Sequence, residues 1–426
     1  MTGSQRGSGT MVPEFDQPEE SRRESEEGDL RAGLVLNLGR ALLKLGSPAH
    51  RLEAAMEIMA TRLGLSGQFF STPTALIASL GDGKRQQTYL VRVDPGSADL
   101  GRLADLTDVM EGLSADRLTP EEADRQVTEI DQRKNPFDTV RRIIGTGLVG
   151  TGGAGLLGGG LREMLLGGSL GLALALVVAL IGSAFSASRL INPLSAAVAT
   201  FLGMLWCGLD AQTALMPAVI GGIIVLLPGM DLTVATRELA TGHLVSGSSR
   251  LASAVLTFVL LAFGLSIGGY LGMMVVDEMP QWYRDERPWA VIALAVPVAA
   301  CGFTLLYRAH WRDTVWILLA CILAYSGATL GNWIQGAYLA PFTGGLAVGI
   351  AGNLYARLTF RPASTINLPA LVLLVPGSIG LTAMAVLLGA DIVAGVETAF
   401  RAIMTAVALT TGMILAGVVV QPRSAL

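Results

Sequence analysis

About ten apolar runs follow one another through residues 143–419, and no lysine interrupts them. They lie at approximately 143–160, 164–183, 190–208, 212–229, 250–275, 288–307, 314–331, 336–356, 366–388 and 396–419. A bilayer core takes about 20 apolar residues per helix. A soluble domain would not place so much uncharged sequence end to end. The expected fold is therefore a polytopic all-α membrane protein with about ten transmembrane helices. The first two runs and the eighth are rich in glycine, which lets helix backbones approach closely where no hydrophobic force drives them together. Those faces also permit self-association into a homo-oligomer.

The sequence before these runs has a different character. Residues 1–142 hold all three lysines, Lys44, Lys84 and Lys134, and most of the acids. Residues 1–28 have almost nothing to bury and are expected to be a disordered tail. No apolar core marks the first residues, so no cleavable signal peptide is expected. Residues 29–141 read as a small α+β cytoplasmic domain. Ser47-Pro48 reads as a helix cap with proline at the first helical position. Leu52, Ala55, Met56, Met59 and Leu63 follow at helical spacing. Residues 67–80 and 86–93 predict a β-hairpin around Gly81-Asp82-Gly83. Leu100, Leu103, Leu106, Met110 and Leu113 mark another helix, and Thr119-Pro120-Glu121-Glu122 is a capping box that opens a last one. Asn135-Pro136 is the hinge into the membrane.

Arginine placement predicts the orientation. With the N-terminal domain inside, the inner connections carry Arg141, Arg142, Arg189, Arg237, Arg250, Arg308, Arg312, Arg357, Arg361 and Arg423. The outer side carries Arg162, Arg284, Arg287 and Arg401. That bias places both termini in the cytoplasm.

The membrane region also resembles itself at an offset of about 148–151 residues. Gly153 with Leu156-Leu157 and Arg162-Glu163 recurs as Gly302 with Leu305-Leu306 and Arg312-Asp313. Pro193 recurs as Pro341, Thr233 as Thr382, Arg250 as Arg401 and Gly264 as Gly412. Val225-Leu226-Leu227-Pro228-Gly229 recurs as Leu373-Leu374-Val375-Pro376-Gly377. Five spans per copy is an odd number, so the second copy enters the bilayer from the opposite side. The expected architecture is two inverted five-helix repeats, 142–276 and 288–426, joined by an extracytoplasmic loop at 277–287. Such repeats give a transporter two pseudo-equivalent states.

The two Pro-Gly elements are the sharpest local signal. Proline removes a backbone donor and clashes with the preceding turn. Each pair is expected to break its helix and expose backbone groups to a cavity, a cradle for a polar substrate. Candidate substrate-binding residues are Pro228, Gly229, Asp231, Thr233, Pro376, Gly377, Ser378, Thr382 and Asn353. Asp231 and Ser378 sit where they can cap the next helical segment. Candidate proton-coupling residues are Asp231, Glu238 and Glu397, although 231–249 also reads as a solvated surface helix. Glu397 and Arg401 are one turn apart and also read as a plain ion pair.

Other motifs are set aside. Gly145-Thr146-Gly147-Leu148-Val149-Gly150 fits a dinucleotide fingerprint but follows arginines rather than a strand. No phosphate-binding Walker loop occurs. Cys207, Cys301 and Cys321 lie in apolar runs, and the three histidines are far apart, so neither a metal site nor a cofactor is expected. Ser47, His50 and Glu53 are close in sequence, but a helix cap and a surface acid account for them without catalysis. A net charge of −4 points to no nucleic acid.

With these residues in view, the chain resembles the threonine/serine exporter (ThrE) family from about residue 34 to its end. The resemblance rests on Leu45-Gly46-Ser47-Pro48 with Arg51 and Glu53, Leu63-Gly64-Leu65, Thr72-Pro73-Thr74-Ala75-Leu76-Ile77, and Thr88 with Val91-Arg92-Val93. In the membrane it rests on the glycine-rich first helices, Pro228-Gly229, Pro288-Trp289 with Gly302-Phe303, and Pro376-Gly377-Ser378. It implies a cytosolic domain before ten helices in a bacterial inner membrane. It also implies a secondary active exporter, not an enzyme, that carries threonine and serine on the proton motive force. Another branch of the family looks like an exporter of small dicarboxylates such as succinate. A channel-like pore and a membrane sensor remain as alternatives from other classes.

Overall fold

The computed structural model describes residues 19–81, 86–181, 190–276, 281, 289–336, 339–374, 376–388 and 392–422. The N-terminal unit is built from α1 (Glu19–Lys44), α2 (Ala49–Arg62), β1 (Ser66–Thr72), β2 (Ala75–Gly81), β3 (Gln86–Arg92), α3 (Leu100–Ser114) and α4 (Pro120–Gln132). The strands form an antiparallel meander in the order β1-β2-β3. Leu76, Ala78 and Leu80 alternate into a core with Leu38, Leu52 and Met56. That period of two is what a half-buried strand requires.

Three details differ from the sequence reading. The stretch expected as one strand at 67–80 is itself a hairpin, with Thr72 opposite Ala75 across Pro73-Thr74. Proline presets its own φ and lacks the N–H a ladder needs, so the chain reverses there. The segment expected to be a tail to residue 28 is helical from Glu19. Its Glu and Arg residues are good helix formers, and acids are favoured at the positive N-terminal end. Ser47 does not cap α2: the capping position is Pro48, with no side-chain hydrogen bond. The capping box at Thr119 and Glu122 forms as expected.

The rest of the chain is helical: α5 (Asp138–Leu156), α6 (Leu161–Ile181), α7 (Ile191–Leu209), α8 (Leu215–Gly222), α9 (Gly229–Ala240), α10 (Leu244–Met273), α11 (Trp289–Leu306), α12 (Thr314–Gln335), α13 (Leu339–Thr359), α14 (Ser364–Leu374), α15 (Pro376–Leu388) and α16 (Ile392–Val419). Among the described residues, seven apolar helical runs are long enough to cross a membrane, or eight if the bent pair α8 and α9 is one span. Large apolar side chains point outward along them, such as Leu165, Leu172 and Leu176 on α6 and Val255, Val259 and Phe263 on α10. An exposed apolar belt of this extent belongs in lipid, and the chain is a multi-pass membrane protein. The glycine-rich α5 and α13 are not among those seven. Each is enclosed by neighbours, α5 by α6, α8 and α11, and α13 by α12, α14 and α16. An interior helix meets protein rather than lipid, so it needs less hydropathy. The loop at 277–287 lies outside the described residues except for Gln281.

The two halves pack alike. In the first, α6 contacts α8, α7 contacts α10, and α9 contacts α10; in the second, α12 contacts α14, α13 contacts α16, and α15 contacts α16. A buried acid opens the second helix of each half. Glu163 accepts from the amide of Ala214 just before α8, at 2.7 Å. Asp313 accepts from Tyr355 at 3.0 Å and pairs with Arg361 just before α14. The same joint is thus tied by a carboxylate in both halves, to a backbone amide in one and a guanidinium in the other.

Two glycines allow equivalent close crossings. A Cβ on Gly264 of α10 would collide with the carbonyl oxygen of Pro193 on α7, and one on Gly412 of α16 with that of Phe342 on α13. Gly264→Val and Gly412→Val are each expected to destabilise the fold by about 1–3 kcal/mol or more, as overpacked helix contacts do. Gly417→Ala is expected to be neutral, since nothing lies within 4 Å of its added methyl. Thermal unfolding of the purified variants in detergent checks both.

Candidate functional site

The site begins where α8 ends. A short 3-10 turn, Ile224–Leu226, leads to an extended Leu227 (φ −68°, ψ 127°), and α9 starts at Gly229. Pro228 cannot continue the preceding helix, and the chain bends by 56° there. The corresponding interruption, between α14 and α15, falls at position 375, outside the described residues. Here the structure departs from the expected symmetry, because Ser364–Ala383 qualifies as one apolar run rather than a bent pair. The extended Leu227 before Pro228 gives the first interruption room to turn.

The two interruptions meet. A Cβ on Gly229 would lie 3.2 Å from the amide nitrogen of Gly377 and 3.3 Å from its Cα. Only two residues without side chains let the backbones come this close. Pro228, Gly229, Gly377 and Ser378 are therefore brought together, with a cavity on each side. One, of about 380 Å³, is lined by Pro228, Gly229, Asp231, Phe303 and Tyr307. The other, of about 330 Å³, is lined by Ser378, Phe303, Tyr325 and Leu374. Val149, Ile224 and Phe303 border both. Each volume lies within the range of small-ligand sites.

The polar candidates take different positions. Thr233 donates to the carbonyl of Gly229 at 3.0 Å and Thr382 to that of Ser378 at 2.9 Å, so each hydroxyl serves the helix turn beside its interruption. Asp231 lies inside the first turn of α9 rather than at its cap, and Ser378 inside the first turn of α15. The Asp231 carboxylate faces its cavity, 3.6 Å from Arg250. Asn353 is elsewhere: its amide donates to the carbonyl of Val420 at 2.7 Å and pins α13 to the end of α16. Glu397 forms an exposed pair with Arg401 one turn on, at 3.0 Å.

Glu238 is fully buried, so the segment after the first interruption is not a solvated surface helix. Its carboxylate accepts from the Ala49 amide at 2.9 Å and the Ser246 hydroxyl at 2.8 Å, and lies 3.2 Å from Arg250. Ala49 is the first residue of α2. A membrane helix thus supplies the anion at the positive end of a helix in the N-terminal unit. Nearby, Glu53 accepts from the Ser71 amide and hydroxyl at 2.8 Å and faces His243 at 3.3 Å, so it is not simply a surface acid. His50 is pushed down to about 3 by burial and by the charges of Arg237 and Arg51. Neither of its ring nitrogens has a hydrogen-bond partner, so it forms no relay with Ser47.

A second docking contact was not legible in the sequence. The amide of Leu100 donates to the Tyr307 carbonyl at 2.8 Å. Arg308, at φ 53°, reaches Asp99 at 3.0 Å and Asp138 at 3.6 Å. His310 meets Asp105 at 3.0 Å. Asp99 offered a signal, as a cap for α3, but its partner lies 209 residues away.

Two outcomes follow from this docking. Glu238→Ala removes the carboxylate and leaves Arg250 with its buried charge. It should cost about 3–5 kcal/mol, as breaking a buried pair does, and speed proteolysis of the N-terminal unit. Glu238→Gln, which keeps an acceptor for Ala49, should cost less. The hydrogen bond to Asp105 raises the His310 pKa above its ordinary 6.5, against the effect of burial. That contribution is complete below the unfolded-state value and fades as pH rises through the folded one. Thermal midpoints measured from about pH 6 to about pH 8 should therefore show a decline that His310→Gln abolishes.

Comparison with known proteins adds the family. Residues 33–272 match the family model described as a threonine/serine exporter (ThrE), and residues 292–419 match a second, described as "Threonine/Serine exporter, ThrE". Curated relatives include proteins named "Pheromone-regulated membrane protein 10". That of Debaryomyces hansenii is 27% identical over 385 residues, covering 87% of this chain and 37% of the relative. That of Candida albicans (strain SC5314) is 25% identical over 370 residues, covering 82% and 33%. That of Eremothecium gossypii is 25% identical over 366 residues, covering 82% and 48%. The chain thus spans about a third to a half of the length of these relatives. They are yeast proteins and lend no support to a bacterial inner membrane. No solved structure matches. By both halves of its sequence, the chain belongs to the threonine/serine exporter family.

Proposed function

We propose that this chain is an alternating-access secondary exporter whose substrate sits at the meeting point of the two Pro-Gly interruptions. The observation that carries this reading is the contact of Gly229 with Gly377 between two cavities. An interrupted helix leaves backbone amides and carbonyls without helical partners, and in a membrane these are tolerated only against protein or a cavity. They offer hydrogen bonds to a small polar solute in a setting otherwise apolar. The family makes threonine and serine the leading substrates, with small dicarboxylates such as succinate as the alternative.

The parallel packing of the two halves supports an inverted-repeat architecture. We read α5 and α13 as two further spans, which brings the count to ten and puts both termini on the inner side, with residues 29–141 as a cytoplasmic domain. The two cavities then correspond to inward and outward approaches to one site. Phe303, which borders both, is the side chain a substrate has to pass. Asp231 is the best placed of the candidate proton carriers: it faces the cavity at the first interruption, whereas Glu238 is held by three partners and Glu397 by its own helix. Transport would run on the proton motive force, with a proton moving inward as substrate leaves.

Purified protein in liposomes should exchange labelled for unlabelled threonine or serine, and respond to a pH gradient. Flux that does not saturate and shows no counterflow would indicate a pore and overturn the carrier. Gly229→Ala and Gly377→Ala each place a methyl 3.2–3.3 Å from the facing backbone, and each should reduce exchange about tenfold or more while the protein still folds. Asp231→Asn should leave counterflow largely intact but remove the response to the pH gradient. Wild-type exchange rates in both glycine variants would rule out the proposed site.

A further inference from the structure

A third cavity lies between the N-terminal unit and the membrane helices, lined by Ser47, Arg51 and Asp99 from one side and by Thr233, Arg237 and Asn367 from the other. Its volume is about 100 Å³, well below the roughly 300–1,000 Å³ of sites for larger ligands. Its remaining walls are mostly apolar. Two guanidiniums therefore share a small space with mostly apolar walls.

Asp99, the one acid on that lining, is held by Arg102 and Arg308, and among the described residues neither Arg51 nor Arg237 has an acid of its own. Each acid in the surrounding interface is committed elsewhere. Glu53 serves Ser71 and His243, Glu238 serves Ala49, Ser246 and Arg250, and Asp99 serves Arg102 and Arg308. Asp231 pairs with Arg250. Among the described residues, neither Arg51 nor Arg237 has an ion pair, and the Arg237 Nε is buried without a hydrogen-bond partner. The strain is visible nearby. Burial, with the charge of Arg237 adding to it, pushes Arg51 down to about 9, and the same two arginines help keep His50 neutral. Two like charges, each half-buried and without an anion of its own, carry an electrostatic cost. Guanidinium forks suit carboxylate and phosphate oxygens.

We propose that this cavity is a binding site for a small dianion, a dicarboxylate or inorganic phosphate, held between Arg51 of α2 and Arg237 of α9. Two positive charges call for two negative ones; a zwitterionic amino acid would leave the pair uncompensated. Because one arginine belongs to each unit, occupancy fastens the N-terminal unit to the helix that starts at the first interruption. The site adjoins the cavity beside Gly229, with Ala98, Met230 and Leu371 on the wall between them, and its existence does not depend on which metabolite is carried.

The test uses the full chain purified in detergent in a buffer free of polyvalent anions, with malonate and inorganic phosphate as probes in titration calorimetry. At least one probe should bind, more weakly as salt rises, and should slow hydrogen exchange in residues 49–62. Arg51→Gln and Arg237→Gln should each weaken binding about tenfold or more. The double variant should bind neither probe, yet be more thermostable than the ligand-free parent, because it no longer buries unbalanced charge. That gain is a readout that a merely structural role would reverse. Binding by malonate alone or by phosphate alone identifies the occupant. Absence of binding by both, unchanged affinity in the double variant, or threonine binding with the same arginine dependence would each overturn the proposal.

Discussion

Every peptide group placed in lipid must find its hydrogen bond within the protein, and the break between α8 and α9 is a place where the helices do not provide it. Helices α8 and α9 part at Leu227-Pro228, and the loose backbone lies against Gly377 rather than against hydrocarbon. Apolar helices such as α6 and α10 carry the outer surface, and the glycine-rich α5 and α13 are enclosed by their neighbours. The interior is thus free to be less hydrophobic than a lipid-facing helix, which lets it hold interruptions and cavities.

Much of this architecture could be read in the sequence because it follows from periodicity and punctuation. Runs of apolar residues mark the helices, and Thr119 with Glu122 marks a helix start. Errors arose where one local signal was weighed against a longer pattern. Pro73-Thr74 was absorbed into a strand although it turns the chain. Ser47 was read as a cap because caps are usually local, but the anion at the start of α2 comes from Glu238, 189 residues away.

The site was legible only in part. Pro228 and Gly229 and their counterparts stand out in any apolar sequence, and the structure brings them together. Asn353 matched the residue type expected of a binding group, yet it fastens α13 to the chain end. Sequence gives no depth or direction for a lone polar residue in a helix. The docking surface was hidden for a related reason. Arg308 with Asp99, and His310 with Asp105, are ordinary charged residues until the fold carries them across some two hundred positions.

The link from Glu238 to Ala49 has a consequence for the balance of the two halves. Helix α9 is tied to the N-terminal unit, and among the described residues α15 has no comparable attachment. In the proposed inverted-repeat carrier, halves that were otherwise identical would interconvert between two conformations of equal energy. On that reading a weight hung on one of them would break the degeneracy, so the resting protein would occupy one conformation in preference, and loosening the attachment would change which one it is.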